Sequence, residues 1–450
     1  MGPRGKNPST GDLFQQPLAE LINLKHPLVK LAELIDWSVF ETRWAALFPS
    51  RTGRPASSPR LIAGLLYLQH TFACSDEDLI WTWVENPYWQ HFCGETYFQH
   101  EPPIDPSSMT RWRQRVGEEG VEWLLTETIE AARRGKVVKA KSFEKIIVDT
   151  TVMEKAVAYP TDSRLLERAR QHLVKLADTV GITLRQNYNR EAPRLAAQVG
   201  RYAHAKQFRR MNATLKSLRT LVGRVWRDID RKLDHQNEAQ SAKAGSILAR
   251  VKRLLEQKPK DKNKLYSLHA PEVECISKGK ARQPYEFGVK VTVATTHKEG
   301  LVVGMRSLPG NPYDGHTLPE AIEQVSILTA QKPKAVFVDK GYRGVSVDGV
   351  TIWRSGQKRG VTPSIRKAIH RRSAVEPAIG HMKNEGKLRR NWLKGSLGDA
   401  LNAVLCGAGH NLRMILRAIR LFYVWMLCFS MAENKCRQSR HPEFRRFAML

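Results

Sequence analysis

The sequence predicts an α/β protein: a mixed-sheet core with a helical N-terminal region and a basic helical insertion. Three observations predict it. Two apolar runs, Ile146–Val148 and Val336–Val338, each close on an aspartate. Strand signals recur at Tyr285–Thr296 and Leu301–Leu308, followed by a helical stretch and further strands. Between the first strand and that pair stands Thr161–Ala270, helical in pattern and strongly basic. Strands in runs with helices between them indicate a mixed α/β sheet.

The N-terminal region, residues 1–140, reads as helical. Leu18–Leu34 has helical apolar spacing throughout. Ser57, Ser58 and Pro59 ahead of Arg60–Phe72 suit a capped helix start. Ser75, Asp76, Glu77 and Asp78 open another helix with acidic residues, favourable at a helix N-terminus. Asp105–Ser108 precede a third, Met109–Leu125, where Arg111, Arg113 and Arg115 flank Trp112. Such a trio has two readings: a helix-turn-helix-like unit touching DNA through Arg111 and Arg113, or a small bundle with a solvated basic face.

From Ser142 the pattern changes. Phe143–Asp149 is a short β-branched run ending in a carboxylate. Thr161–Ala270 then holds 25 Lys and Arg against 10 Asp and Glu, a surplus of +15. This block is too long for a plain loop and reads as an inserted helical subdomain. Its basic residues, Arg209 and Arg210 among them, recur at roughly helical intervals; they either clamp DNA or form a solvated face. Lys298, Glu299 and Gly300 turn the next two strands into a hairpin. Thr317–Leu328 reads as a helix, Ala335–Asp339 as a strand closed by Asp339, and Val350–Trp353 as a weaker strand. Leu401–Leu421 is an amphipathic helix that packs on the sheet, with Cys406 and His410 in its core. Lys258–Lys264 reads as a charged linker, and residues 421–450 as a tail, polar, basic and mobile from Ala432.

Composition narrows the function. With 450 residues the chain is long enough for two or three domains of about 150 residues. Its 73 Lys and Arg against 44 Asp and Glu give a net charge of +29, which calls for a polyanionic partner, nucleic acid first. Six scattered cysteines without a CxxC pair form neither a disulfide framework nor a zinc site. The opening residues hold no apolar core of signal-peptide length. The longest apolar stretch near the C-terminus, Leu421–Phe429, is nine residues, where a spanning helix needs about 20. An intracellular, reducing location is expected.

Asp149 and Asp339 each end an apolar strand. A buried carboxylate is costly alone, and two on adjacent strands repel unless a cation lies between them. Mg²⁺ suits one or two carboxylates, with water and phosphate oxygens completing its shell. Alternatively, each aspartate simply caps a turn. Glu376 is the third acid. On a continuous helix Arg372, Glu376 and Lys383 share one face. Ser373–Glu376 also fits a capping box with Pro377 in the first turn, which would leave Arg372 outside the helix.

Four segments carry a resemblance: Val148–Leu166, Gly310–Leu318, Val336–Gly344 and the stretch around Glu376. Together they resemble bacterial insertion-sequence transposases of the DDE type, more narrowly the group named for insertion sequence five. The resemblance implies an RNase H-like catalytic core, residues 141–420, interrupted by the insertion at 161–270. It implies that Asp149, Asp339 and Glu376 are catalytic and hold two Mg²⁺ (or Mn²⁺) ions per site. The group's spaced Tyr-Arg-Glu-Lys pattern is met by Arg372, Glu376 and Lys383, with Ile369 where Tyr is expected. Element-end and target DNA are the implied partners, gripped by Arg372, Lys383, Lys340 and Arg343. A homodimer or larger working complex in the bacterial cytoplasm, near the nucleoid, is also implied.

On that resemblance the three carboxyl groups should converge on shared metal. Asn311, Asp314 and His316 should lie near them, unless Gly310–His316 is a plain β-to-α turn. Lys290 is either on an edge or points at the site, and Lys340, Tyr342 and Arg343 are placed to contact the DNA backbone. Two rivals stand beside a transposase: a non-catalytic DNA-binding relative, and an RNase H-fold nuclease that cuts without joining.

Overall fold

The computed structural model describes residues 16–47, 57–233, 238–258, 260–262, 264–277 and 284–440, the side chains of 46, 238–243 and 424–440 apart. The tail residues 441–450 and parts of the expected charged linker (259 and 263) lie outside the described residues.

Seven helices come first: α1 (Leu18–Leu21), α2 (Pro27–Leu34), α3 (Ser38–Arg43), α4 (Pro59–Phe72), α5 (Asp76–Glu85), α6 (Pro87–Phe92) and α7 (Ser108–Arg134). The single helix expected over Leu18–Leu34 is two. Pro27 cannot extend a helix from its N-terminal side but suits a first turn, and the His26 ring caps that turn by accepting from the Leu28 N–H. The expected caps of the next two helices form: Ser58 accepts from the Leu61 N–H and Ser75 from the Asp78 N–H. Helix α7 runs on past Leu125 to Arg134, kinked at Gly117.

The sheet has seven strands: β1 (Lys145–Lys155), β2 (Glu274–Ser277), β3 (Tyr285–Thr296), β4 (Val302–Leu308), β5 (Ala335–Val338), β6 (Thr351–Arg354) and β7 (Arg390–Asn391). Strand β3 lies antiparallel to β1 and, along its other edge, to β2 and β4. Strands β5 and β6 continue the sheet parallel to β1. This is a mixed α/β fold with a helical N-terminal region and a central mixed sheet, consistent with an RNase H-like arrangement.

Alternation along the strands sets the two faces. Ile146, Val148, Val336 and Val338 enter one large core shared with α2, α4, α7, helix α12 (Asp314–Thr329) and helix α15 (Gly395–Arg440). The N-terminal helices and the sheet thus share apolar packing. Gly409 lets α15 cross α4 closely, since a Cβ there would collide with the His70 carbonyl. The helix expected to stop at Leu421 continues to Arg440. Ile147 and Phe337 face the opposite way, onto helix α13 (Pro363–Arg371) and helix α14 (Val375–Asn384).

Four helices leave the end of β1 and return to β2: α8 (Asp162–Val180), α9 (Glu191–His204), α10 (Phe208–Lys232) and α11 (Glu238–Glu256). They bury a separate core, with Leu166 and Leu173 of α8 against Leu218, Val222 and Ile229 of α10 and Val251 of α11. Leu265 and Leu268 of the returning chain close it. Apolar stripes at helical spacing bury one face of each helix, leaving basic residues outside.

Candidate active site

Strand register brings the two aspartates to one level. β1 pairs with β5 at Lys145–Ala335, Ile146–Val336 and Ile147–Phe337. Asp149 and Asp339 each stand two residues beyond the last pair. They therefore occupy equivalent heights and share the α13–α14 face. The sequence placed both at strand ends. Asp339 does follow the last residue of β5, but Asp149 lies inside β1, because Thr150–Glu154 stay paired with β3. On its other edge β1 pairs with β5 only to Ile147 and with β7 only from Glu154. Asp149 thus sits where two parallel neighbours diverge and leave the sheet open.

Each carboxylate is anchored. Asp149 Oδ1 accepts from the Thr150 N–H at 2.9 Å, and its Oδ2 accepts from Arg372 Nη2 at 2.6 Å. Asp339 Oδ1 accepts from the Gly341 N–H at 2.8 Å. A Cβ on Gly341 would lie 3.0 Å from Asp339 Oδ1 and 3.4 Å from Asp314 Oδ2, so this residue has little room to be anything larger.

Asp314 opens α12 and faces the same region. Its Oδ1 accepts from Lys290 Nζ and from Thr150 Oγ1, both at 3.1 Å. Lys290 also donates to the Pro312 carbonyl at 2.7 Å. Lys290 therefore points inward, and Gly310–His316 is more than a plain turn. In the sequence Asp314 is one of three candidates within Gly310–His316, and Lys290 is marked only by its flanking valines. Tyr342 is fully buried, and its hydroxyl has no hydrogen-bond partner among the described residues. Burial pushes that phenol well above its ordinary value, and the charges of Asp314, Asp149 and Asp339 push it further. It stays a neutral hydroxyl beside three acids. Its burial also removes Tyr342 as a contact to the DNA backbone.

The helical segment below supplies the third expected acid. A 3₁₀ turn, Arg372–Ala374, joins α13 to α14. The capping box does not form: Ser373 Oγ donates to the His370 carbonyl, and no side chain caps α14. Arg372 and Glu376 do share a face, with Nη1 and Oε1 3.6 Å apart. The Glu376 side chain is 66% exposed, whereas Arg372 is 15% and Asp149 14% exposed. Arg372 thus stands between two of the three acids. The expected convergence on shared metal is not met: among the described residues no three His, Cys, Asp or Glu gather closely enough to hold an ion. Ile369, in the expected tyrosine position, packs with Ile147, Phe337 and Val375. Lys383 is half-buried on α14.

The remaining expected DNA contacts divide. Lys340, Arg343, Arg111, Arg209 and Arg210 are exposed. Arg113 is corrected: it is buried, donating to Asp76 Oδ2 at 2.9 Å and to Gln69 Oε1 at 2.8 Å. Burial raises the Asp76 carboxyl, but the Arg113 and Gln69 contacts outweigh it and hold the group below its ordinary range. Arg113 is therefore neither a DNA contact nor part of a solvated basic face; it ties α7 to α4 and α5.

As a donor set the site fits a hard divalent cation in kind. It offers carboxylate oxygens at equivalent heights on adjacent strands, on a sheet opening, against a buried hydroxyl without a partner.

Comparison with known proteins gives the family. Residues 16–115 match the model of a transposase domain (DUF772), and residues 227–398 that of a transposase DDE domain. The second match takes in Asp314, Asp339, Arg372 and Glu376 but not Asp149. An uncharacterized protein of Rhizobium meliloti, ORF8 in the nfe locus, is 49% identical over 207 residues, 46% of this chain and 100% of that relative. The chain belongs to a DDE-transposase-like family. That membership supports a transposase-like enzymatic function in general, divalent-metal dependence, and DNA as partner. No solved structure matches the chain significantly. No helix among the described residues is long and apolar enough to cross a membrane.

Proposed function

We propose that this DDE-transposase-like chain cuts DNA at the ends of an insertion sequence and joins the freed 3′-hydroxyl to target DNA, as a member of the insertion sequence five group. What supports this most is the strand register that brings Asp149 and Asp339 level at the opening of the sheet, beside a 3₁₀ turn carrying Arg372 and the helix α14 carrying Glu376. The sheet is then an RNase H-like catalytic core, residues 141–420, with 161–270 an insertion, 1–140 a DNA-binding and assembly region and 421–450 an extension.

Asp149, Asp339 and Glu376 would hold divalent cations, Mg²⁺ or Mn²⁺, which would supply activation of the attacking oxygen and stabilisation of the leaving one. Both steps are in-line displacements at phosphorus, by water and then by the 3′-hydroxyl, so no side chain need attack. Lys290 holds the Asp314 carboxylate in place, and buried Tyr342 keeps bulk water from the floor of the site. Arg372, Lys383, Lys340 and Arg343 grip backbone phosphates around the cut. Arg111, Arg209 and Arg210 add sequence-independent affinity farther out, so binding weakens steeply with salt. A homodimer or larger complex in the bacterial cytoplasm is the working form.

The test is incubation with the element's own ends and Mg²⁺, scoring nicked and joined products. Asp149→Ala is expected to abolish both products and leave DNA binding within about twofold, given that phosphate contacts supply the affinity. Binding lost together with cleavage would make Asp149 a structural residue. Binding without any product from the unaltered chain would favour the non-catalytic relative; nicks without joints would favour the simple nuclease.

A further inference from the structure

We propose that Arg372 is a latch: its guanidinium occupies the acid site until a DNA phosphate draws it off, so that DNA and divalent cation bind cooperatively. This rests on the reading that Asp149 is a cation ligand.

The contacts are those of a competitor. Arg372 Nη2 lies 2.6 Å from Asp149 Oδ2, a charge-assisted hydrogen bond on an oxygen that a cation would need. Its Nη1 lies 3.6 Å from Glu376 Oε1, beyond a good hydrogen bond but within ion-pair reach. One guanidinium thus neutralises two of the three acids, and both are less available to another cation while it stays.

Arg372 is also poorly satisfied there. Its Nε is buried and has no hydrogen-bond partner among the described residues. A guanidinium carries five N–H donors in a planar fork that matches two phosphate oxygens at once. Exchanging one short and one long carboxylate contact for a phosphate fork improves the arginine's own bonding. It withdraws one positive charge from beside Asp149 and Glu376, which raises their affinity for a divalent cation.

The backbone permits the exchange. Arg372 begins the 3₁₀ turn between α13 and α14, and short 3₁₀ stretches within helical segments often mark hinges. Pro377, two residues into α14, has no N–H to donate back to Ser373, so the junction is not locked by a full helical ladder. By contrast, Lys290, on the central strand β3, is fixed between Asp314 and the Pro312 carbonyl. Coupling through a shared group is reciprocal: whatever factor DNA adds to cation affinity, the cation adds to DNA affinity.

The experiment measures Mn²⁺ affinity of the full chain by calorimetry, with and without a saturating duplex of the element end. For the unaltered chain, DNA is expected to tighten Mn²⁺ binding about tenfold, within the usual range of such couplings. Arg372→Gln is expected to bind Mn²⁺ about tenfold more tightly than the unaltered chain without DNA, and to gain less than twofold from it. Equal or weaker binding by Arg372→Gln without DNA overturns the latch. Should Arg372→Gln lose its helical circular dichroism, Arg372→Lys takes its place. A single ammonium cannot span both acids, so tighter Mn²⁺ binding is again expected, and unchanged binding overturns the latch. Asp149→Asn separates the two failures: if it binds Mn²⁺ as the unaltered chain does, the cation-ligand reading itself is wrong. If it loses Mn²⁺ while Arg372→Gln is unchanged, only the latch is wrong.

Discussion

Strand β1 carries two clusters in which one cation stands between two acids, and they differ in what surrounds them. At the far end, Lys155 Nζ lies 2.7 Å from Asp399 Oδ1 and 2.9 Å from Glu272 Oε1. Asn391 donates to Asp399 and the Gly395 N–H to Glu272, so the acids have further partners. The Lys155 and Asp399 side chains are only 5% and 6% exposed. Midway along, Arg372 holds Asp149 and Glu376 with one short bond and one long contact, its Nε without a hydrogen-bond partner among the described residues, at the opening of the sheet. The first cluster ties β1, β7 and the start of α15 together. The second is half-open and incompletely bonded, as a group must be if it is to exchange partners. Residue types alone do not separate the two; burial and hydrogen-bond completeness do.

The sharpest way to break this comparison is stability. Lys155→Met should cost about 3–5 kcal/mol, because buried Asp399 and half-buried Glu272 are left without their cation. Arg372→Gln should cost less, about 1 kcal/mol, since Glu376 is exposed and Asp149 keeps the Thr150 N–H. Urea unfolding of both variants decides; similar losses would mean that the second cluster is a structural tie as well.

Within the N-terminal helices the same logic separates two arginines two residues apart on α7. Arg113→Ala strands Asp76 and should cost about 3 kcal/mol. Arg111→Ala should leave unfolding within about 0.5 kcal/mol and lower DNA affinity modestly. Equal effects on unfolding would show that burial does not distinguish them.

A smaller effect is expected from acid. His70 is buried against Asn402 of α15, and burial, with Lys387 and Arg113 nearby, lowers its pKa from 6.5 to about 3. His410, also buried, falls from 6.5 to about 4, chiefly through burial. A histidine held neutral in the fold binds fewer protons than in the unfolded chain. Its effect is absent above about pH 6.5 and grows as a loss of stability as the pH falls toward the folded values. Melting temperature should therefore drop between pH 7 and pH 4. His70→Gln should flatten that slope; an unchanged slope would assign it to other groups.

Five of the seven strands were legible in the sequence because they are apolar and β-branched; β2 and β7, short and largely polar, were not. The helices between β1 and β2 were legible as a helical, basic block because apolar residues recur there at helical spacing among many Lys and Arg. The length of β1 was not, since Thr150 and Thr151 look like a strand end until β3 is seen beside them. The break at Pro27 was in the sequence but lost to the apolar spacing across it. Asp149 and Asp339 could be paired from their positions after similar runs. Arg372 as the partner of Asp149, and Asp314 beside Asp339, depend on contacts across gaps of 223 positions and between separate loops. No local pattern encodes these. Arg113 misled because an arginine beside a tryptophan on a basic helix gives no sign of which way it turns.

The most direct test is a crystal of the chain bound to its element-end duplex with Mn²⁺, examined for anomalous scattering. The account requires an anomalous peak within about 2.0–2.3 Å of carboxylate oxygens from both Asp149 and Asp339. A DNA-bound complex whose manganese lies away from those two aspartates, or nowhere in the chain, would contradict it.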